Sequence, residues 1–186
     1  MRAQIYVQMK PLDDFVLSFF GLKEDLYKFE YKIDKQFFEL FNYDEFLDAS
    51  FRIDLDFVKK STLLELHFQS DGVVTVPCDI TNEPFELRLK GELDLVVKFG
   101  DEYNDDNEEV LILPHGEHQL NVAQYIYEMI VLSVPSKKTH PGIADGSLKS
   151  DILDKLEELS PNKNKKTDKI DPRWDDLKKL LIDKNK

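Results

Sequence analysis

From Leu26 to Phe99 apolar and polar residues alternate with a period of two, and no single feature limits the possible folds more than this. Tyr27, Phe29, Tyr31 and Ile33 fall on one side of a strand whose other side carries Lys28, Glu30 and Lys32. The pattern returns from Ser50 to Lys60, where Phe51, Ile53, Leu55 and Phe57 oppose Arg52, Asp54 and Asp56. It returns again after the polar turn Lys59-Lys60-Ser61-Thr62, with Leu64, Leu66 and Phe68 against Glu65, His67 and Gln69, which makes a hairpin. Asp71-Gly72 reads as a further turn, into a strand from Val73 to Val76, and Pro77 to Pro84 as the next bend. Phe85, Leu87 and Leu89 then alternate with Glu86, Arg88 and Lys90, and Gly91 reads as a break before Leu93 to Phe99. Strands joined by turns, with almost no helix between them, point to an antiparallel meander.

Two stretches depart from this period. Asp34 is placed to cap a short helix through Phe37, Phe38, Leu40 and Phe41 that ends near Asn42, and aromatics at this spacing read as core. From Asn121 to Pro135, Val122, Tyr125, Ile126, Met129, Ile130 and Ser133 recur at helical spacing. Asn121 suits an N-cap, Gln124 sits at N3, and Pro135 ends the run, so this is one buried central helix set against the strands.

The flanks are less regular. Ile5 to Val7 could form an edge strand, Phe15 to Phe20 is a helical or irregular stretch ending at Gly21, and Asp101 to Glu109 is a polar loop before a last strand, Val110 to Leu113. Ser150 is placed to cap an amphipathic helix bearing Ile152, Leu153, Leu156 and Leu159. The domain bounds expected are one α+β domain over 1–160, a flexible linker over 161–170 and an amphipathic helix over 171–186, where Trp174, Leu177, Leu180 and Leu181 share a face. The fold class expected is therefore α+β: an antiparallel β meander or partly closed barrel, a buried central helix and two C-terminal helices.

The net charge of −12 is divided unevenly. From Pro135 onward thirteen Lys and Arg face ten Asp and Glu; before it, twelve face twenty-seven. An acidic body repels phosphate backbones and suits basic partners, and nucleic acid would be approached through the mildly basic remainder. With one cysteine there is no internal disulfide framework. The first residues show no apolar signal core and no segment reaches the ~20 apolar residues of a membrane span. A cytoplasmic protein without a membrane partner is expected.

Motifs for chemistry are sparse. Asp101 to Glu109 lacks a glycine and a terminal glutamate at the spacing a calcium loop of the EF-hand kind requires, and His115 and His118 have no cysteine or further histidine nearby to complete a metal site. Cys78 would need a base beside it to act as a nucleophile, and there is no glycine-rich phosphate loop. No enzyme, metal or cofactor is expected. Lys137, Lys138 and His140, directly after the central helix, and Arg173 beside Trp174 form a weak RNA footprint: cations for phosphates and an aromatic to stack on an unpaired base.

Four blocks carry a family resemblance: Val76-Pro-Cys-Asp-Ile-Thr-Asn-Glu-Pro-Phe85, Gly91-Glu-Leu-Asp-Leu-Val-Val-Lys-Phe-Gly100, Leu132-Ser-Val-Pro-Ser-Lys-Lys-Thr-His-Pro141 and Asp171-Pro-Arg-Trp-Asp-Asp-Leu-Lys-Lys-Leu180. Together they resemble the YceD family, large ribosomal RNA subunit accumulation proteins, in the version seen in Bacteroidetes, from about Lys23 to the end. The resemblance implies a cytoplasmic, non-enzymatic factor that supports processing or accumulation of large-subunit ribosomal RNA. The partners it implies are precursor large-subunit ribosomal RNA, a basic ribosomal protein, or both, and no DNA; the alternative is an acidic adaptor that holds a basic protein without touching RNA. Many relatives carry a Cys-x-x-Cys pair at the turn, and some have a second cysteine cluster after the central helix, which suggests zinc. Here the turn reads Cys78-x-x-Thr81 and the later segment offers only His140, so the resemblance does not extend to a metal.

Overall fold

The computed structural model describes residues 12–107 and 109–159. They fall into two compact units, the first ending at Leu148 and the second beginning at Lys149. The first contains a six-stranded sheet and a two-stranded one. In the large sheet β2 (Leu26–Asp34), β3 (Asp48–Lys59), β4 (Leu63–Pro77) and β5 (Pro84–Gly100) form the expected antiparallel meander. Odd-numbered residues of β2, β3 and β5 and even-numbered ones of β4 share one face, which packs the core: Phe51, Ile53, Leu55, Phe57, Leu64, Leu66, Phe68, Val74, Leu95 and Val97 are all buried.

The meander is not the whole sheet, and the sheet does not close. β7 (Val110–Pro114) lies beside β5 and runs parallel to it, and β6 (Asn104–Asn107) pairs antiparallel with β7 at the edge, giving the order β2-β3-β4-β5-β7-β6. Thus the stretch 101–109 contains a short edge strand as well as loop. A partly closed barrel is replaced by an open, mixed sheet. Near the start of the described chain, a 3-10 turn at Asp13–Phe15 leads into β1 (Val16–Ser18), which pairs antiparallel with β8 (Gln119–Asn121) where the sequence suggested a helical or irregular stretch.

Two glycines that read as breakers do the opposite. β4 and β5 run through Gly72 and Gly91 without a bulge. Gly72 is paired with Phe51, and a Cβ there would overlap the Phe51 ring and the Ser50 carbonyl oxygen. Gly91 is paired with the buried Ser70, and a Cβ there would come within 2.9 Å of Ser70 Oγ and 3.0 Å of Met129 Cγ. Both glycines are where another group must approach the strand backbone, a use of glycine in strands that composition alone does not separate from a turn.

Met129 belongs to α2 (Ala123–Leu132), whose buried residues Ala123, Ile126, Met129 and Ile130 face β5 and β4. The other side of α2 is open: Gln124 and Glu128 are exposed and Leu132 is 82% exposed. The helix therefore covers a sheet face and does not fill a barrel. Its start is one residue later than the sequence suggested, with Val122 as N-cap and Asn121 Oδ1 accepting the Ala123 N–H at 2.9 Å. Asn121 still satisfies an orphan donor of the first turn, from one position further out.

The short helix α1 (Lys35–Glu39) is capped as its sequence indicates, Asp34 accepting the Phe37 N–H, and the turn that follows its end at Glu39 reaches Asn42, whose φ is +56°. Phe38 is completely buried and meets Phe46 edge-on, while Phe41 stacks on Tyr127 of α2 with ring centres 4.4 Å apart. These aromatics are core, as their spacing implied. After α2 come a four-residue helix, α3 (Pro141–Ala144), and α4 (Asp151–Leu159) in the second unit. Ser150 Oγ accepts the Ile152 N–H at 3.4 Å at the start of α4. The expected edge strand at Ile5 to Val7, the linker 161–170 and the helix 171–186 lie outside the described residues.

Gly72→Ala should lower stability by about 1–3 kcal/mol through overpacking against Phe51 and the Ser50 backbone. Val73→Ala, one residue on and facing solvent, should change it by no more than about 0.5 kcal/mol. Denaturant midpoints of the two variants measure the contrast.

Candidate functional site: the Cys78 turn and the segment after the central helix

The β4–β5 hairpin ends in a turn closed by Cys78 N–H donating to the Glu83 carbonyl at 2.9 Å and Asn82 N–H to the Cys78 carbonyl at 2.8 Å, with Asn82 at φ +58°. The segment leaving α2 is pinned against this turn. Asp79 N–H donates to the Lys138 carbonyl at 2.8 Å, Lys138 N–H returns a bond to Asp79 Oδ2 at 2.6 Å, and His140 N–H donates to Cys78 Sγ at 3.3 Å. The His140 ring meets the edge of Phe85, and its Nδ1 accepts the Gly142 N–H at 2.9 Å, capping α3. Two stretches some sixty residues apart in sequence are thereby joined by main-chain and sulfur hydrogen bonds.

Cys78 is 2% exposed. Burial alone would push its thiol up, but the His140 N–H, the Thr81 hydroxyl and the Thr81 and Ile80 N–H groups all point at the sulfur and together bring it down to about 7. Thr81 is itself buried and accepts the Glu83 N–H at 3.4 Å. Thus the two turn positions singled out in the sequence, Cys78 and Thr81, act on each other and on the segment that carries His140.

The donor set does not suit a metal. One thiol, one hydroxyl and an imidazole whose Nδ1 already accepts a main-chain N–H fall short of a tetrahedral site, and among the described residues no group of three or more His, Cys, Asp or Glu could hold an ion. Hydrogen bonds hold the turn and the segment together instead.

The structure separates the candidate RNA contacts. Lys137 is exposed. Lys138 is not free: its side chain is only 18% exposed and its Nζ lies 3.2 Å from Glu45 Oε2. His140 is half-buried and engaged on both sides. Arg173 and Trp174 lie outside the described residues. What the sequence did not reveal is the part played by Glu45 and Asp79, acids from distant segments that fix this basic stretch, and nothing in their local pattern marks them.

The hairpin from Leu66 onward, β7, α2 and the pinned segment all lie within the region matched by a family model. That model, described as "Large ribosomal RNA subunit accumulation protein YceD", covers residues 66–181. The chain belongs to the YceD family. The match begins inside β4, so β1, β2 and β3 lie before the YceD region, whereas the four sequence blocks suggested a likeness from about Lys23. No curated protein and no solved structure matches the chain. Among the described residues no helix is long and apolar enough to cross a membrane.

The lowered thiol makes the YceD turn sensitive to pH. Its ordinary value is 9.0 and its folded value about 7, so the stabilisation from the charged sulfur is complete above about pH 9 and is lost as pH falls through about 7. Unfolding midpoints should rise between these limits in the wild type. In Cys78→Ala this increment should disappear, and in Thr81→Val, which lacks the hydroxyl donor, it should shrink.

Proposed function

We propose that this YceD protein is a cytoplasmic, non-enzymatic factor that supports processing and accumulation of large-subunit ribosomal RNA by binding rather than by chemistry. The match over 66–181 carries the reading, and the division of charge supports how it works. Precursor RNA is met by the basic part of the chain, through Lys137 and the later Arg173 and Trp174, with Lys138 and His140 holding the segment in place against the Cys78 turn. The acidic body faces a basic ribosomal protein and keeps phosphates away from the rest of the surface. The family description speaks of ribosomal RNA accumulation and of no reaction, in keeping with a binding role.

A second reading has an observation of its own. Lys138 is committed to Glu45 and His140 to Gly142, so the described part of the basic segment offers one exposed cation, Lys137, and that is little for RNA. On this reading the protein is an adaptor that holds a basic protein on its acidic surface and makes no RNA contact.

Crosslinking and capture of the tagged full-length protein from growing cells separates the two. Precursor large-subunit RNA should be recovered with the wild type and markedly less of it with Lys137→Glu, whose thermal midpoint should match the wild type. Lys138→Glu should instead lower the midpoint, because it sets a carboxylate beside Glu45. Recovery of ribosomal proteins without crosslinked RNA, unchanged by Lys137→Glu, would sink the RNA reading in favour of the adaptor.

A further inference from the structure

β5 is seventeen residues long, and β4 pairs along nearly all of it, but β7 covers only Val96–Gly100 on its other side. The hydrogen bonds fix which groups are left over. Cys78 N–H bonds to Glu83, so in this antiparallel register the odd-numbered residues of β5 turn their main-chain groups towards β4. Val96 N–H donates the opposite way, to the Glu109 carbonyl. The N–H and C=O groups of Arg88, Lys90, Glu92 and Asp94 therefore point out of the sheet, and among the described residues no main-chain group takes them up.

This open stretch borders a groove of about 690 Å³ between α2 and the β6–β7 edge. Leu93, Leu95, Leu111 and Met129 supply its apolar lining. Its exposed acids are Glu92, Asp105 and Glu128, the carboxylate of Asp105 accepting a hydrogen bond from the Tyr103 hydroxyl at 3.0 Å. The one cation there, Lys90, is paired with Asp71 at 3.2 Å.

We propose that the open edge of β5 binds an extended segment of a basic protein by strand addition, its main chain pairing with Arg88, Lys90 and Glu92 while one alternate set of its side chains, apolar with a flanking Lys or Arg, enters the groove towards Asp105 and Glu128 and the Lys or Arg between them meet Glu92 on the other face of the sheet. An edge with unpaired main-chain groups is a template for another strand, and pockets beside it read alternate side chains. The acidic rim selects a basic segment and disfavours nucleic acid. This deepens the proposed function by assigning the basic protein a place, and it depends on that reading only in expecting such a partner.

The test uses the full chain and a short peptide alternating lysine with valine, with its glutamate-for-lysine counterpart as control. Fluorescence anisotropy should show the lysine peptide binding at least about tenfold more tightly than the control. Residue-level hydrogen exchange should slow at the Arg88, Lys90 and Glu92 N–H groups, and hardly at Leu89 and Gly91, which already bond to β4. Glu92→Pro removes an outward N–H without touching the β4 ladder and should weaken binding about tenfold or more, with Glu92→Gln losing only a few-fold. Equal binding by Glu92→Pro, slowed exchange elsewhere only, or no binding of the lysine peptide would overturn the proposal. So would protection of these N–H groups in the chain alone, since the edge would then be occupied by the chain itself. Should Glu92→Pro fail to fold, the exchange pattern of the wild type decides alone. RNA capture through Lys137 reads a different surface, so this groove can fail while the RNA role stands, and the reverse.

Discussion

Met129 rests against the backbone of β5 at Gly91, and this close approach sets the geometry of most of the first unit. Because no side chain intervenes, the helix lies low on the sheet and its buried residues reach both β5 and β4. The same approach requires a strand that stays straight past the contact, and the glycine that permits the helix to come near is the one that would otherwise weaken the strand. Ser70, buried at the same level, keeps its hydroxyl bonded to the Gly91 carbonyl at 3.3 Å, so a polar group under the helix carries no unsatisfied donor. The end of α2 then fixes where the next segment leaves, against the Cys78 turn.

Period-two patterning made the meander legible nearly residue by residue, since a one-residue slip would have moved every large side chain to the wrong face. What it could not convey was continuity. Gly72 and Gly91 carry the same letter as a turn glycine, and only the ring of Phe51 and the side chain of Met129, brought there by the fold, distinguish the two uses. The parallel placement of β7 was equally hidden, because a short apolar run such as Val110 to Leu113 pairs in either direction. The acidic stretch before it read as loop for the good reason that an edge strand made of Asn and Asp has a composition strands avoid. Caps fared better: Asp34 and Ser150 act where local chemistry places them, and Asn121 misses by one residue.

At the site, the sequence pointed to the right positions and was silent on their partners. Cys78, Thr81 and the segment to His140 are brought together, yet through main-chain groups whose meeting no spacing rule foretells. Treating Lys137 and Lys138 as equivalent was natural from two adjacent lysines. Tertiary structure separates them, since Glu45, more than ninety residues earlier, takes one and leaves the other in solvent. A positive segment in sequence can thus be close to neutral in space, which is why counting lysines gives an upper limit on what such a stretch offers a phosphate.

The pairing of β1 with β8 has a bearing on how the chain is made. Val16 meets Asn121, so β1 has no partner until roughly a hundred more residues have followed it. At about 5–20 residues per second this is a wait of several seconds, during which Phe15, Leu17 and Phe19 are without the core they will enter. The meander can form meanwhile from neighbours in sequence. β1 can be paired only after β8 has emerged, immediately before α2.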